Sequence, residues 1–197
     1  PVIGHVSRLD QAASYTARQL IALAPRLCER APGLRILIIG GGGVYEELAA
    51  QAEQVNRQAG RECLILTGPR TDVNRLVAAC DLFVGVSRAA LEAMAAGKPA
   101  VLSGAQGHTG LFTPELLDKA VDTNFCCRTD PVSTQDQLFD AVAAALALPP
   151  ERRRELGLYG RQVVQERYSV SRMAEDCLSA YERVRRKKYQ VVMSGYY

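Results

Sequence analysis

The residues best suited to chemistry cluster in one short stretch, Ser87-Arg88-Ala89-Ala90-Leu91-Glu92. Arg88 and Glu92 stand four apart, so a helix places both on one face. A surface ion pair is one reading, worth a few tenths of a kcal/mol. The other is a ligand site: the first turn of a helix offers free N–H groups to an anion. A carboxylate one turn in can accept hydrogen bonds from the vicinal hydroxyls of a ribose. Gly40-Gly41-Gly42-Gly43 is the second candidate. Glycine lets backbone amides approach a phosphate beside a helix start. The run is not G-x-G-x-x-G, because Tyr45 takes the last position, and a plain strand-to-helix turn is the alternative. Arg8 can clamp a diphosphate with paired hydrogen bonds, or pair with Asp10. His108 lies in a glycine-bounded stretch and reads as a solvated loop residue, with contact to phosphate or sugar as the alternative. His5 lies inside an apolar run and reads as a core histidine.

These residues need elements to hold them. Val2 to Val6, Leu34 to Ile39, Cys63 to Thr67, Leu82 to Val86 and Ala100 to Leu102 are short, continuous apolar runs. Between them lie stretches with helical spacing: 12–24, 44–58, 71–79 and 87–96. Pro25 predicts a kink or a break after the first. Thr71 or Asp72 is the expected cap of the third helix and Ser87 that of the fourth, with Gly60 and Gly97 as stops. Ser103 to Gly110 reads as a polar, glycine-rich loop, and a short strand is expected near Phe125. Helices over about 134–147, 151–167 and 170–187 close the chain. Continuous apolar strands alternating with helices predict an α/β, Rossmann-like parallel sheet covered on both faces. Every strand-to-helix loop then falls at one sheet edge, where such folds bind ligands.

Composition excludes several classes. The net charge is only +3, and no basic stripe interleaves with aromatics, so nucleic acid is not an expected partner. The basic run Arg183, Arg185, Arg186, Lys187 and Lys188 reads as a solvated helix end. Six cysteines without a C-x-x-C pair, and two histidines, predict no metal site. Unpaired cysteines and the lack of a spanning apolar run or a signal peptide suggest a cytoplasmic protein.

An ordered set of motifs then resembles one family. Gly4-His5-Val6-Ser7-Arg8-Leu9-Asp10 is similar to the opening "GRL" strand of the C-terminal domain of GT-B glycosyltransferases. Leu34 to Gly42 resembles "L-x-I-x-G-x-G", and Leu66-Thr67-Gly68 resembles "F-x-G". Cys80 to Val84 resembles "A-D-x-x-V", and Glu92 to Val101 resembles the "E-A-M-A-x-G-x-P-V-V" signature of family 4. The set covers about residues 2 to 105.

The resemblance implies a donor-binding domain spanning 1–197, with a terminal helix and tail from about 168. An N-terminal acceptor domain is expected outside this chain, and any peripheral membrane contact would come only through that half. It implies a bacterial enzyme that takes a sugar from a nucleotide-diphosphate sugar to an acceptor hydroxyl, with retention and without a cofactor or metal. Arg8 and Arg88 would act on the diphosphate, helped by Ser87 and the amides of Ala89 and Ala90. Glu92 would hold the ribose, Gly41 and Gly42 would admit the donor, and Gly68-Pro69-Arg70 would lie along the base. The alternatives are a nucleotide-sugar 2-epimerase-like enzyme and a degenerate, non-enzymatic nucleotide-binding module. Two features depart from the family: Ala13-Ser14 stands where a lysine is usual, and Val84 where a first glutamate is usual.

Overall fold

The computed structural model describes residues 1–194, with side chains described as far as Arg186. It falls into two compact units, Pro1–Arg161 and Gln162–Tyr197. The first holds β1 (Val2–Val6), α1 (Tyr15–Arg30), β2 (Arg35–Ile39), α2 (Tyr45–Ala59), β3 (Leu64–Leu66), α3 (Val73–Ala78), β4 (Leu82–Gly85), α4 (Ser87–Ala95), β5 (Ala100–Gly104) and β6 (Gly107–Leu111). A 3-10 turn (Pro114–Leu116), α5 (Leu117–Asp122), α6 (Gln135–Ala147) and most of α7 (Pro150–Arg167) follow. The second unit holds the end of α7 and α8 (Val170–Ser194).

The sheet order is β3-β2-β1-β4-β5-β6. The first five strands are parallel. The chain adds strands on one side of β1, then crosses and adds them on the other. Right-handed crossovers therefore put α1 and α2 on one face and α4 on the other. The core confirms the apolar reading of the strands: Ile3, Ile36, Ile38, Leu82, Val84 and Val101 are all fully buried. Leu20, Leu23, Ala24 and Leu27 supply the matching stripe of α1.

Several sequence expectations are corrected. Pro25 does not break α1, which runs on to Arg30. The stretch 103–110 is not a loop: β6 pairs antiparallel with β5, joined by Ala105-Gln106, with a register irregularity at Leu102/Ser103. Gly107 and Gly110 hide this strand from a propensity reading, since glycine is depleted in strands. No strand forms at Phe125; Asn124, Phe125 and Cys127 all take left-handed φ values of 51°, 56° and 58°. Asp72 is the N-cap residue of α3 but makes no capping bond, because its carboxylate takes both branches of Arg70 at 2.8 Å. The 183–188 run lies inside α8, not at a helix end. Arg183, Arg185 and Arg186 are exposed, while the side chains of Lys187 and Lys188 lie outside the described residues.

β1 and β4 pair only at Ile3–Leu82 and Gly4–Phe83. Beyond that point the strands are bridged by a side chain. His5 Nδ1 donates to the Val84 carbonyl at 2.8 Å, and its Nε2 lies 2.9 Å from Ser7 Oγ. In the neutral imidazole with its proton on Nδ1, Nε2 accepts a hydrogen bond from the Ser7 hydroxyl. Burial lowers the His5 pKa below the ordinary 6.5, against an opposing pull from the Val84 carbonyl. His108 is lowered in the same way by burial, with Asp130 opposing.

Two outcomes follow from this packing. A Cβ on Gly40 would overlap the Ser7 carbonyl, at a φ of 144°, whereas one on Gly43 meets nothing within 4 Å. In chemical denaturation Gly40→Ala should cost about 2 kcal/mol or more, and Gly43→Ala less than about 0.5 kcal/mol; equal effects would contradict the packing described. The lowered histidines give the second. A lowered folded-state pKa means that the unfolded chain binds more protons below pH 6.5. Stability should therefore be complete above about pH 7 and decline as pH falls through 6.5, by at most about 1.4 kcal/mol per unit for each histidine. His5→Gln should flatten the slope below about pH 6.5, leaving the share due to His108; identical slopes would argue against a neutral His5.

Candidate functional site

The switch point between β1 and β4 opens a cleft of about 640 Å³ at the C-terminal ends of the strands. Its walls come from four places. β1 and its exit supply His5, Ser7 and Arg8; the β4–α4 turn supplies Ser87, Arg88 and Ala89. Thr16 in the first turn of α1 and Ser103-Gly104 at the end of β5 form a third wall. Gln106, Cys126 and Arg128 complete it. Three arginines line this cleft, and among its described lining residues there is no aspartate or glutamate. A crevice lined by guanidiniums, with no carboxylate in its lining, attracts an anion.

The floor is held by a buried polar network. Thr16 donates to the Ser103 carbonyl at 3.3 Å, and the Ser103 and Ser133 hydroxyls lie 3.2 Å apart. Ser133 donates to Gln19 Oε1 at 3.2 Å, while Gln19 Nε2 donates to the Ser133 carbonyl at 2.9 Å. A satisfied network of this kind rigidifies its surroundings. It ties α1, β5 and the segment before α6 together, so the cleft wall keeps its shape without a ligand.

α4 begins in an uncommon way. Its N-cap is Val86, which offers no side-chain bond, so Ser87 is not the cap. Ser87 is instead the first helical residue, with a left-handed φ of 56°. Its amide donates to the Phe125 carbonyl at 2.7 Å, and Ala90 donates to Val86 at 3.4 Å. That leaves the amides of Arg88 and Ala89 as the open donors of the first turn among the described residues. Ala90 is buried behind them.

Arg8 lies 3.9 Å from Asp10, and Arg88 Nε lies 3.2 Å from Glu92 Oε1. Arg8 and Arg88 are 83% and 91% exposed, so neither pair holds its guanidinium firmly. Glu92 is half exposed and does not itself line the cleft. The glycine turns also lie outside its lining, one and two strands away at the same sheet edge. Their closeness is used by the protein's own chain. A Cβ on Gly41 would come 3.0 Å from the Pro69 ring, and one on Gly42 would meet the Leu9 backbone at 2.5 Å. Gly40 donates to Gly68 at 3.1 Å and Leu9 to Gly41 at 2.9 Å, so three loops lock together. Arg70 is held on Asp72.

Thus Arg8, Ser87, Arg88 and Ala89 come together as the spacing suggested, while Gly41, Gly42, Gly68, Pro69 and Arg70 form a separate, neighbouring group. Sequence reasoning missed Ser7, Thr16, Ser103, Gln106 and Arg128. The first four are small or neutral residues with no chemical signature. Arg128 is reached only through a backbone turn that no periodicity reveals.

Similarity to known proteins is concordant. The family model for glycosyl transferases group 1 matches residues 1–148. Among solved structures, a TarM variant from S. aureus in complex with fondaparinux, alpha-GlcNAc-glycerol and UDP shares 20% identity, with a TM-score of 0.67, over 90% of this chain and 34% of its own. HepE from Anabaena, in complex with UDP, shares 20% identity with a TM-score of 0.65, over 92% of this chain and 48% of its own. The C-terminal domain of LpcC from Francisella tularensis, a glycosyl transferase group 1 family protein, shares 22% identity with a TM-score of 0.62, over 86% of each chain. No curated protein matches the chain. The chain spans about a third of TarM and half of HepE. With the family match covering three-quarters of its length and the fold shared with these structures, the chain belongs to glycosyl transferases group 1 and forms a GT-B glycosyltransferase domain.

Proposed function

We propose that this domain binds a nucleotide-diphosphate sugar in the switch-point cleft and presents it for transfer to an acceptor hydroxyl. The observation that carries the reading is the cleft's charge: three guanidiniums, two open helix amides and no lining carboxylate. A nucleoside diphosphate is the leaving group of such a transfer, and negative charge grows on it as the glycosidic bond to the sugar breaks. Preorganised N–H donors aimed at that charge lower the barrier. Arg8 and Arg88, with the amides of Arg88 and Ala89, fill this role. The same charge distribution supports a metal-independent reaction, because the lining offers no carboxylates to hold a divalent ion. Retention at the anomeric carbon rests on the family resemblance alone.

Glu92 is the proposed ribose ligand. Its exposed pair with Arg88 is worth only a few tenths of a kcal/mol, so donor binding breaks it at small cost. Arg88 is then free for phosphate and Glu92 for the ribose hydroxyls. Gly41 and Gly42 border the donor, and Gly68-Pro69-Arg70 flanks its base. The acceptor would come from an N-terminal domain, in keeping with the fraction of TarM and HepE that this chain spans. Cytoplasmic action is supported by six unpaired cysteines; no described helix is long and apolar enough to cross a membrane.

Calorimetry with UDP, GDP and ADP tests the reading directly. One of them should bind, and Arg8→Ala or Arg88→Ala should weaken it by about tenfold each, equivalent to about 1.4 kcal/mol. Glu92→Ala should weaken a ribonucleotide more than its 2′-deoxy analogue. Absence of heat with all three nucleotides would dismiss the donor-binding role.

A further inference from the structure

The segment after α5 is built more tightly than a connecting loop requires. Asn124, Phe125 and Cys127 are all left-handed without being glycine. Such conformations persist only where the surroundings over-determine them, and they concentrate at functional sites. Here packing and hydrogen bonds hold them in place. The Phe125 ring is fully buried, edge-on to Phe112 at 5.3 Å, and its carbonyl takes the Ser87 amide. Asp130 accepts from Thr109 at 2.6 Å, pairs with Lys119 at 2.5 Å and donates its amide to the Cys127 carbonyl at 3.0 Å. Gly107 lies so close beneath that any Cβ there would overlap the Cys127 carbonyl. The turn is thus clamped at both ends, between the start of α4 and the start of β6.

What this turn delivers to the cleft is Arg128. Its Nε donates to Gln106 Oε1 at 3.0 Å, which anchors the guanidinium to the β5–β6 turn. Its two terminal nitrogens make no hydrogen bond among the described residues. Arg8 has Asp10 and Arg88 has Glu92, so Arg128 is the cleft arginine without a carboxylate partner. Its planar fork is therefore oriented by a neutral amide and carries an uncompensated charge.

We infer that Arg128 is a diphosphate-binding residue of this domain and takes the distal phosphate of the donor nucleotide. The inference rests on the donor-binding reading above. It is tested on the 197-residue chain by calorimetry with UMP and UDP, GMP and GDP, AMP and ADP, and inorganic pyrophosphate. Arg128→Ala should lower affinity for the bound diphosphate and for pyrophosphate about tenfold or more, while the matching monophosphate changes less than about threefold. Arg128→Lys should fall between, because a lysine keeps the charge and loses the fork. The exposed Arg57→Ala, outside the cleft, serves as a control and should change nothing, and unaltered thermal melting of the Arg128 variants establishes an intact fold. Unchanged diphosphate affinity in Arg128→Ala, with binding by the unmutated chain intact, would overturn the Arg128 assignment alone. Equal losses for mono- and diphosphate would also overturn it, by placing the residue on the proximal phosphate. No binding of any nucleotide or of pyrophosphate by the unmutated chain would remove the donor-binding reading and this inference with it.

Discussion

The site depends on two neighbouring strands that stop pairing. β1 and β4 are hydrogen-bonded partners for two residues and then separate, because the chain leaves β1 toward one side of the sheet and β4 toward the other. Backbone groups exposed by that parting would carry a desolvation cost if left unpaired. His5 meets it with a neutral imidazole that donates to Val84 and accepts from Ser7. The crevice beyond His5 can then be lined by arginines, because the groups beneath it are already satisfied. Protonation of His5 would bury a cation beneath those arginines, and burial disfavours the charged form.

How far this was legible in the sequence depends on the kind of contact. The five parallel strands were readable because burial on both faces demands unbroken apolar runs, and Ile36, Ile38, Val84 and Val101 display them. Arg8 and Arg88 were readable because they follow directly on strands whose ends define the ligand edge. β6 was not readable. Its sequence, Gly-His-Thr-Gly-Leu, has little β propensity, and it exists because β5 offers it an edge to pair with. Arg128 was hidden for a related reason: its position depends on left-handed residues and on the Gly107–Cys127 approach, which are tertiary facts. The tetraglycine was visible, yet the structure gives Gly40 and Gly42 a packing duty toward Ser7 and Leu9. A phosphate-like motif and a close loop crossing look alike in one dimension.

The electrostatics follow a simple division. Around the cleft, carboxylates stand back from the lining, and the arginines that have acidic neighbours hold them in solvent, where they are easily exchanged. Elsewhere in the first unit two arginines join elements: Arg18 with Glu47 links α1 to α2, and Arg26, over the Phe139 ring at 4.2 Å, reaches Asp136 of α6. Arginine thus serves as a fastener on the outer helices and as a receptor in the crevice, and the distinction lies in whether its partner can leave.

The sheet's two borders have a consequence of their own. β3 is three residues long, and β6 carries two glycines and meets β5 through an irregular register. Exposed strand edges are templates for pairing with other chains, and short or irregular ones are poor templates. The glycines and bulge that obscured β6 in the sequence therefore protect the domain while it is being made: a nascent or partly unfolded copy finds no long, flat border on which to extend the sheet. The character of this border is set by backbone geometry, independent of the charges that serve the cleft.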